Sequence, residues 1–304
     1  MTERVIDISD EPARLCVRDG CLVIERGEGD WQGAIRVPLK DIACVILTEK
    51  RTSVTQSVLS SLAEAGGALI ACDSKCMPVG MMLPLNGHTT QGERFVAQAA
   101  ATLPTRKRLW QEIVREKVKA QGRLLARIRG SDRGLLALSS RVRSGDPDNV
   151  EGQAARRYWT MLFEDPAFVR DRDRPGRNAL LNYGYAVLRA TVARAVCASG
   201  LHPSLGLHHH NRYDSFCLVD DLMEPFRPVV DGAVVGVVEG RAFDVEADAV
   251  ELDRETKRVL LGVLASRQES RGEARSLFDL ARRAASSLVK VFTGEARRLD
   301  LPEI

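Results

Sequence analysis

The sequence predicts an α+β protein, with a small amino-terminal β domain that has one packed helix, followed by a larger all-α domain. Residues 3–83 alternate short β-rich runs with turn residues, whereas from about Arg94 the apolar residues recur with a helical period. The turn-rich segment at 84–95 interrupts both patterns and marks the best boundary. We therefore divide the chain into a β domain (1–85), a linker (86–100) and a helical domain (101–304).

Composition sets limits on the class of protein. The 304 residues are 44% hydrophobic, enough for two domains with separate cores, and the formal net charge of +3 means that any nucleic-acid surface must come from local clustering. Seven scattered cysteines without a CxxC pair argue against a zinc ribbon or a disulfide framework. The polar start and the lack of a run near the roughly 20 apolar residues of a membrane span lead us to expect a cytoplasmic protein without a membrane partner.

The β domain is predicted from short runs of β-forming residues. ARLCVRDGCLVIE is typical of a hairpin, because Asp19-Gly20 tolerates the positive φ of a tight turn. The continuous apolar run 42–47 predicts a strand that is buried on both faces. TSVTQSVLSSLAEAGG predicts a helix that is capped at Thr52 or Ser53 and stopped by two glycines. We find no catalytic grouping in this domain.

The helical domain opens with a long basic segment. TRKRLWQEIVREKVKAQGRLLARIRG predicts one long amphipathic helix, or two, with an apolar stripe that includes Trp110, Val114 and Val118. Residues 101–130 carry nine Lys or Arg and two Glu, which gives a local charge of +7 (nine minus two). A face of one sign suits a polyanion such as the DNA backbone, and a solvated basic surface is the alternative. Further helices are predicted from about Val150, over NALLNYGYAVLRATVARAVCASG and across 255–292.

Side chains with metal-ligand chemistry cluster at 206–227, GLHHHNRYDSFCLVDDLMEPFR. Asp221 and Glu224 are three residues apart and share a helix face, and a histidine of 208–210 can approach from the preceding loop. Glu151, in the first turn of its helix, can add a third carboxylate. An oxygen-rich site with one imidazole favours Mg²⁺ or Mn²⁺ over zinc.

Other interpretations of these residues remain open. An acidic residue such as Glu151 is ordinary in a first helical turn, because the helix dipole favours it there. Asp221 and Glu224 can instead form a salt-bridged helix end with Arg227, Arg212 or the basic helix. A zinc hydrolase built on the histidine run is a further alternative, which tight stoichiometric zinc would favour.

Four ordered motifs resemble a known family. The order SGDPDNVEGQAARRYW, NALLNYGYAVLRA and GLHHHNRYDSFCLVDDLMEPFRP, preceded by LWQEIVREKVKAQ, is similar to the CRISPR-associated integrase of the spacer-acquisition (adaptation) module, and most like its type II form. The likeness spans most of residues 40–230, so no site is carried over to the tail beyond about residue 240. The resemblance implies catalytic metal ligands at Glu151, His209 and Glu224, with Asp221 as a less certain ligand.

The resemblance also implies an activity and partners. The reaction is a metal-dependent DNA integration, in which the 3′-hydroxyl of a short fragment attacks a phosphodiester of a CRISPR array, with nuclease activity on the side. Mg²⁺ or Mn²⁺ is the cofactor. The partners are double-stranded DNA fragments, CRISPR repeat DNA, a second copy of the chain in a homodimer, the small protein of the adaptation complex and the RNA-guided effector nuclease. A non-catalytic DNA-binding scaffold with the same fold is the alternative.

Basic side chains are expected to hold the DNA backbone without reading its sequence. Most lie on the basic helix, two lie on the helix that begins near Val150, and the Arg-rich loop 170–177 adds to them. The predicted contacts are Arg106, Lys107, Arg108, Arg115, Lys119, Arg123, Arg156 and Arg157.

Overall fold

A computed structural model describes residues 4–27, 34–73, 78–84, 88–241 and 250–304. Its amino-terminal part consists of short strands and one helix. The strands are β1 (Arg4–Ile8), β2 (Ala13–Arg18), β3 (Cys21–Arg26), β4 (Ile35–Pro38), β5 (Ile42–Leu47), β6 (Ser53–Val54), β7 (Ala68–Cys72) and β8 (Pro78–Met82), and the helix is α1 (Gln56–Glu64). They form two four-stranded sheets, with the orders β1-β5-β7-β8 and β4-β3-β2-β6.

The predicted hairpin is confirmed. Strands β2 and β3 pair antiparallel, with Arg18 opposite Cys21, and both Asp19 and Gly20 adopt positive φ. The capping prediction for α1 is wrong, because Ser53 pairs with β2 as part of β6. The helix therefore starts later, with Thr55 at its N-cap.

Strand β5 links the two parts of the protein. It lies between β1 and β7, parallel to both, and its apolar run is buried as predicted. On one face Ile42 and Val45 pack in the core of the β part. On the other face Cys44 and Ile46 belong to the same apolar cluster as the helices. The sheet thus packs directly on the helical part.

The remainder of the chain is mostly helical. Its helices are α2 (Gln91–Ala99), α3 (Leu103–Arg129), α4 (Leu135–Ser139), α5 (Val150–Leu162), α6 (Arg177–Ala198), α7 (Cys217–Met223), α8 (Arg227–Arg241), α9 (Arg254–Ala265) and α10 (Leu277–Phe292), with a 3-10 turn at Glu224–Phe226. The basic segment forms the single helix α3, and its predicted stripe is buried. Within the described ranges, no helix is both long and apolar enough to cross a membrane.

Two details of the helical part differ from the prediction. It is not all-α, because β9 (Arg267–Ser270) and β10 (Glu273–Ser276) form an antiparallel hairpin. Arg271 and Gly272 both adopt positive φ, so the tight turn determines this hairpin although its strands lack β-branched residues. The predicted linker 86–100 includes helix α2, while its residues 86 and 87 lie outside the described residues.

Six of the seven cysteines are described, and none of these six forms a disulfide. The seventh, Cys76, lies outside the described residues.

Candidate active site

Two of the predicted ligands meet at a lysine. Glu151 lies in the first turn of α5, and Glu224 opens the 3-10 turn that follows α7. Lys117, from the middle of α3, places its Nζ 2.6 Å from Glu151 Oε1 and 2.5 Å from Glu224 Oε2. One ammonium group therefore bridges two carboxylates that are far apart in sequence.

The turn before α5 orients Glu151. Asp146 accepts the backbone N–H groups of Val150 and Glu151, at 2.9 and 3.0 Å, and Asn149 caps the helix by accepting the N–H of Gly152 at 3.0 Å. Both Asp146 and Asn149 adopt positive φ, a conformation that Asp and Asn tolerate better than most residues. These side chains accept the N–H groups that have no partner within the helix. The Glu151 carboxylate is therefore not needed as a cap and is available to Lys117.

Glu224 is held more tightly than Glu151. It is only 5% exposed, and its Oε1 accepts from Arg227 Nε at 2.8 Å. Burial alone would raise the pKa of Glu224, but the charges of Arg227 and Lys117 outweigh burial and lower it to about 2. Burial would likewise lower the pKa of Lys117, yet Glu224 and Glu151 hold it above its ordinary value. Part of the salt-bridge alternative is therefore observed at Glu224.

Asp221 has a different role from Glu224. It is fully buried, and each of its carboxylate oxygens faces two donors. Oδ2 accepts the backbone N–H groups of Leu207 and His208 at 2.6 and 2.9 Å, and Oδ1 accepts that of His209 at 3.2 Å. His209 Nδ1 also lies 2.6 Å from Oδ1. The histidine loop is thus wrapped around one carboxylate.

This loop presents His209 in a defined orientation. With Nδ1 bound to Asp221, the Nε2 atom is the one left for a ligand. The hydrogen bond to Asp221 raises the pKa of His209, although burial opposes it. The loop can close only at a glycine, because a Cβ on Gly206 would lie 2.4 Å from the His209 carbonyl oxygen.

Helix α3 also supports the histidines. His208 stacks on the buried Trp110 ring, with centroids 4.3 Å apart and an interplanar angle of 2°, and His209 meets the same ring edge-on at 5.5 Å. Burial lowers the pKa of His208. Trp110 lies about two turns before Lys117 on α3, so one helix positions both the histidine loop and the lysine.

The predicted ligands could hold a divalent ion only if Lys117 moved away from the two glutamates. In the described ranges, no three His, Cys, Asp or Glu side chains are grouped so that they could hold a metal ion. Lys117 lies between the two glutamates, and Asp221 is saturated by N–H donors. Glu151 and Glu224 nevertheless already share one cation, through Glu151 Oε1 and Glu224 Oε2. Two carboxylates and an imidazole are suitable ligands for Mg²⁺ or Mn²⁺.

The basic face of α3 is less free than the sequence indicated. Arg123 and Lys119 pair with the buried Glu116, at 2.8 and 3.4 Å. Arg115 donates to the Val142 carbonyl oxygen at 2.8 Å. Lys119 and Arg123 are thus paired within α3, whereas Arg115 connects α3 to the segment that follows α4.

The other predicted DNA contacts differ in exposure. Arg108 pairs with Glu112 at 3.4 Å, and the Arg106 Nε atom is buried. The exposed members are Lys107, Arg156 and Arg157.

A cavity of about 1120 Å³ adjoins the site, and Lys117 and Glu224 are among the residues that line it. Its lining carries charges of both signs. The other cationic members are Arg170, Arg172 and Arg174 of the 170–177 loop, with Arg189 and Arg227, and the other acidic members are Asp173, Asp214, Asp220 and Asp231. The Arg-rich loop is therefore near the carboxylates, which the sequence alone did not indicate.

Sequence patterns did not indicate three features of the site. Lys117 was counted with the basic face, although its spacing from Trp110 and Val114 puts it on their buried face. Gln98 of α2 is buried and exchanges hydrogen bonds with the loop before the histidines, at the His202 N–H and two carbonyl oxygens. Asp231 accepts from the hydroxyls of Tyr158 and Tyr185, and burial raises its pKa to about 6.

The chain is similar to a known protein family. The family profile described as CRISPR associated protein Cas1 matches residues 6–265. A relative from Neisseria meningitidis serogroup C (strain 8013), named CRISPR-associated endonuclease Cas1, is 38% identical over 271 residues, which cover 88% of this chain and 87% of that protein.

Solved structures share the fold. A casposase bound to integration product matches with a TM-score of 0.79 at 20% identity, covering 98% of this chain and 92% of that chain. A Cas6-RT-Cas1–Cas2 complex includes a chain that matches with a TM-score of 0.75 at 16% identity, covering all of this chain and 36% of that one. At these identities the likeness concerns the fold, and it agrees with the amino-terminal β part and mostly helical remainder.

Proposed function

The chain belongs to the Cas1 family of CRISPR-associated proteins, and we propose that it is a metal-dependent DNA integrase that inserts short DNA fragments into a CRISPR array. The 3′-hydroxyl of a fragment attacks the phosphorus of a phosphodiester at the repeat, the bond from that phosphorus to the 3′-oxygen of the neighbouring nucleotide breaks, and this oxygen leaves as a new 3′-hydroxyl. If water replaces that hydroxyl, the same site hydrolyses DNA, which agrees with the name endonuclease of the Neisseria relative. The match to a casposase bound to integration product supports a fold suited to strand transfer.

The observation that carries this proposal is the convergence at helix α3. Glu151 and Glu224 reach the same point of α3 from separate helical elements, and the histidine loop lies against Trp110 of the same helix. No serine, cysteine or tyrosine needs activation, because the nucleophile belongs to the DNA. The protein has to hold charge and position two DNA ends.

Glu151, Glu224 and His209 would hold the Mg²⁺ or Mn²⁺ ion. When bound, the ion supplies charge stabilisation at the phosphoryl and leaving oxygens. His209 presents Nε2 to the site because Asp221 holds Nδ1. We therefore assign Asp221 to positioning the histidine and not to the ligand set, since such carboxylate partners commonly orient a ligating imidazole.

The DNA backbone would lie along the arginines of the 170–177 loop that line the cavity and along the exposed basic side chains. Arg170, Arg172 and Arg174 line the cavity, while Arg156 and Arg157 are exposed on α5. These guanidinium groups neutralise phosphates without reading bases. The remaining partners in this proposal are a second copy of the chain, a small Cas2-type protein, for which the match to a Cas1–Cas2 complex is support, and the RNA-guided effector nuclease.

An integration assay tests the proposal. A labelled fragment and a supercoiled plasmid with a repeat are incubated with the protein, with and without the small partner and Mn²⁺. We expect joined product only with the metal, and none with Glu151→Gln or His209→Asn, although both variants still bind DNA. Full joining by either variant would show that the site is assigned to the wrong residues.

One observation favours a second candidate, a non-catalytic DNA-binding scaffold. Lys117 and Arg227 already neutralise Glu151 and Glu224, which is how a purely structural ion-pair network is built. A scaffold binds DNA but neither binds Mn²⁺ at these carboxylates nor joins DNA. Binding and joining measured on the same preparation separate the two candidates.

A further inference from the structure

Lys117 balances the charge of the carboxylate pair. Its side chain is 13% exposed, and it contacts Glu151 Oε1 and Glu224 Oε2. Arg227 holds the other oxygen of Glu224. Two carboxylates therefore face two cationic side chains, so the cluster is neutral without any added ion.

A divalent ion cannot simply join this cluster. With Lys117 in place, the ion would bring two uncompensated positive charges into a mostly buried site, which is strongly unfavourable. Lys117 already contacts one oxygen of each carboxylate that the ion would use, Glu151 Oε1 and Glu224 Oε2. Ammonium and metal ion thus compete for the same atoms.

We propose that Lys117 is an internal counter-ion. Its ammonium group occupies the place between Glu151 and Glu224 that a divalent cation would take, and this group leaves the carboxylate oxygens when the metal binds. This inference rests on the proposed metal site. It makes Lys117 a positioning residue that keeps two like charges together in the metal-free protein. It also weakens metal binding, because each binding event must break two ion pairs.

The structure provides a second position for the ammonium group. Gln121 lies one turn further along α3, is 3% exposed and lines the same cavity as Lys117. Its buried Oε1 has no hydrogen-bond partner among the described residues. A buried acceptor without a partner is unfavourable, so an ammonium donor that arrives from Lys117 would be stabilised there. The flexible lysine stem allows the movement without a change in the helix.

Calorimetric titration of the full chain with Mn²⁺ tests the inference. We expect Lys117→Met to bind Mn²⁺ about tenfold more tightly than wild type, or more, because no ion pair has to be broken. Lys117→Arg keeps the charge and serves as the matched control, with an affinity close to wild type. Without metal, the thermal midpoint of Lys117→Met should be lower than that of wild type, and its rise on adding Mn²⁺ should be larger.

Gln121→Leu tests the second position. It should weaken Mn²⁺ binding severalfold in the wild-type background, because the displaced ammonium loses its acceptor. In the Lys117→Met background the same change should have no effect, since there is no ammonium to receive. An equal loss of affinity in both backgrounds would show that Gln121 does not receive the ammonium group of Lys117.

The outcomes separate this inference from the function on which it rests. If wild type does not bind Mn²⁺, or if Glu151→Gln binds it equally well, then Glu151 is not a metal ligand. In that case Lys117 cannot be the counter-ion of a metal site either. If wild type binds Mn²⁺ at Glu151 and Lys117→Met binds it equally or more weakly, only the role of Lys117 is overturned. Should Lys117→Met fail to fold, Lys117→Gln makes the same comparison with a polar side chain.

Discussion

The carboxylate cluster and the histidine loop reach the same helix by different means. Glu151, Lys117 and Glu224 come from separate helical elements and are held by opposite charges. The histidine loop instead closes within a short stretch, because Asp221 gathers three successive backbone N–H groups and the His209 ring. The first arrangement depends on the packing of α3, α5 and the 3-10 turn, whereas the second is largely built into its own sequence.

This difference predicts that the two regions respond differently to the loss of one carboxylate. In the cluster, Glu224→Gln leaves Lys117 and Arg227 facing each other in a buried place. We expect it to lower the free energy of unfolding by about 3–5 kcal/mol, measured by urea denaturation, and to abolish integration. Glu151→Gln should cost only about 1 kcal/mol, because Glu151 is a quarter exposed and Lys117 keeps Glu224. Equal costs for both variants would contradict the charge balance described for the cluster.

In the loop, Asp221→Asn replaces one of two acceptor oxygens by an NH₂ group that faces N–H donors. We expect a loss of about 1–3 kcal/mol in unfolding free energy and a fall in integration of about 10–100-fold, because His209 is no longer oriented. The pKa of His209, followed by NMR, should fall, since the hydrogen bond that raises it is lost. An unchanged pKa with normal activity would show that Asp221 does not position the ring.

The two regions should also lose stability at opposite ends of the pH scale. The folded-state pKa of Glu224 is lowered to about 2 from 4.5, so its contribution is present above pH 4.5 and is lost as pH falls toward 2. The pKa of His209 is raised from 6.5, so its contribution is present below pH 6.5 and is lost as pH rises through the higher folded value. The free energy of unfolding, measured with urea at a series of pH values, should depend less on pH in the acid range for Glu224→Gln and less on pH in the neutral range for Asp221→Asn. The opposite pattern would show that the two pH dependences are assigned to the wrong residues.

Helix α2 offers a smaller test of how the loop is anchored. Gln98→Ala removes three hydrogen bonds to the segment 202–205, and we expect it to cost about 1–2 kcal/mol in unfolding free energy and to reduce integration severalfold. Gln153→Ala is the matched control, because Gln153 makes one exposed bond to a backbone oxygen. Its cost should stay within about 0.5 kcal/mol. A similar cost for both variants would mean that α2 does not anchor the loop.

The smallest expected effects concern the DNA backbone. Arg156→Ala and Arg157→Ala should each weaken DNA binding a fewfold and reduce the slope of log affinity against log salt by about 1, because each removes one phosphate contact. Lys119→Ala should leave the slope nearly unchanged, since Lys119 pairs with Glu116. Salt-dependent fluorescence anisotropy measures all three, and a larger change with Lys119→Ala would reverse this assignment.

The same contrast explains how far the sequence could predict the structure. The order of β and helical parts follows from hydrophobic periodicity, and Asp221 and Glu224 were found because their spacing is local. Lys117 was missed because its charge matches its neighbours on α3, and only the three-dimensional contact with Glu151 and Glu224 shows its role. Helix α2 was missed because its first turn lies in the turn-rich segment 84–95. The hairpin β9–β10 was missed because its strands lack β-branched residues, and its tight turn determines it instead.

Strand transfer measured as a function of Mn²⁺ concentration decides whether Glu151 belongs to a metal-dependent joining site. Wild type and Glu151→Gln are compared with the small partner present, and DNA binding is measured on the same samples. The proposed site predicts joined product from wild type that rises with Mn²⁺, and none from Glu151→Gln despite retained DNA binding. Joining by wild type without any divalent ion, or equal joining by Glu151→Gln, would contradict it.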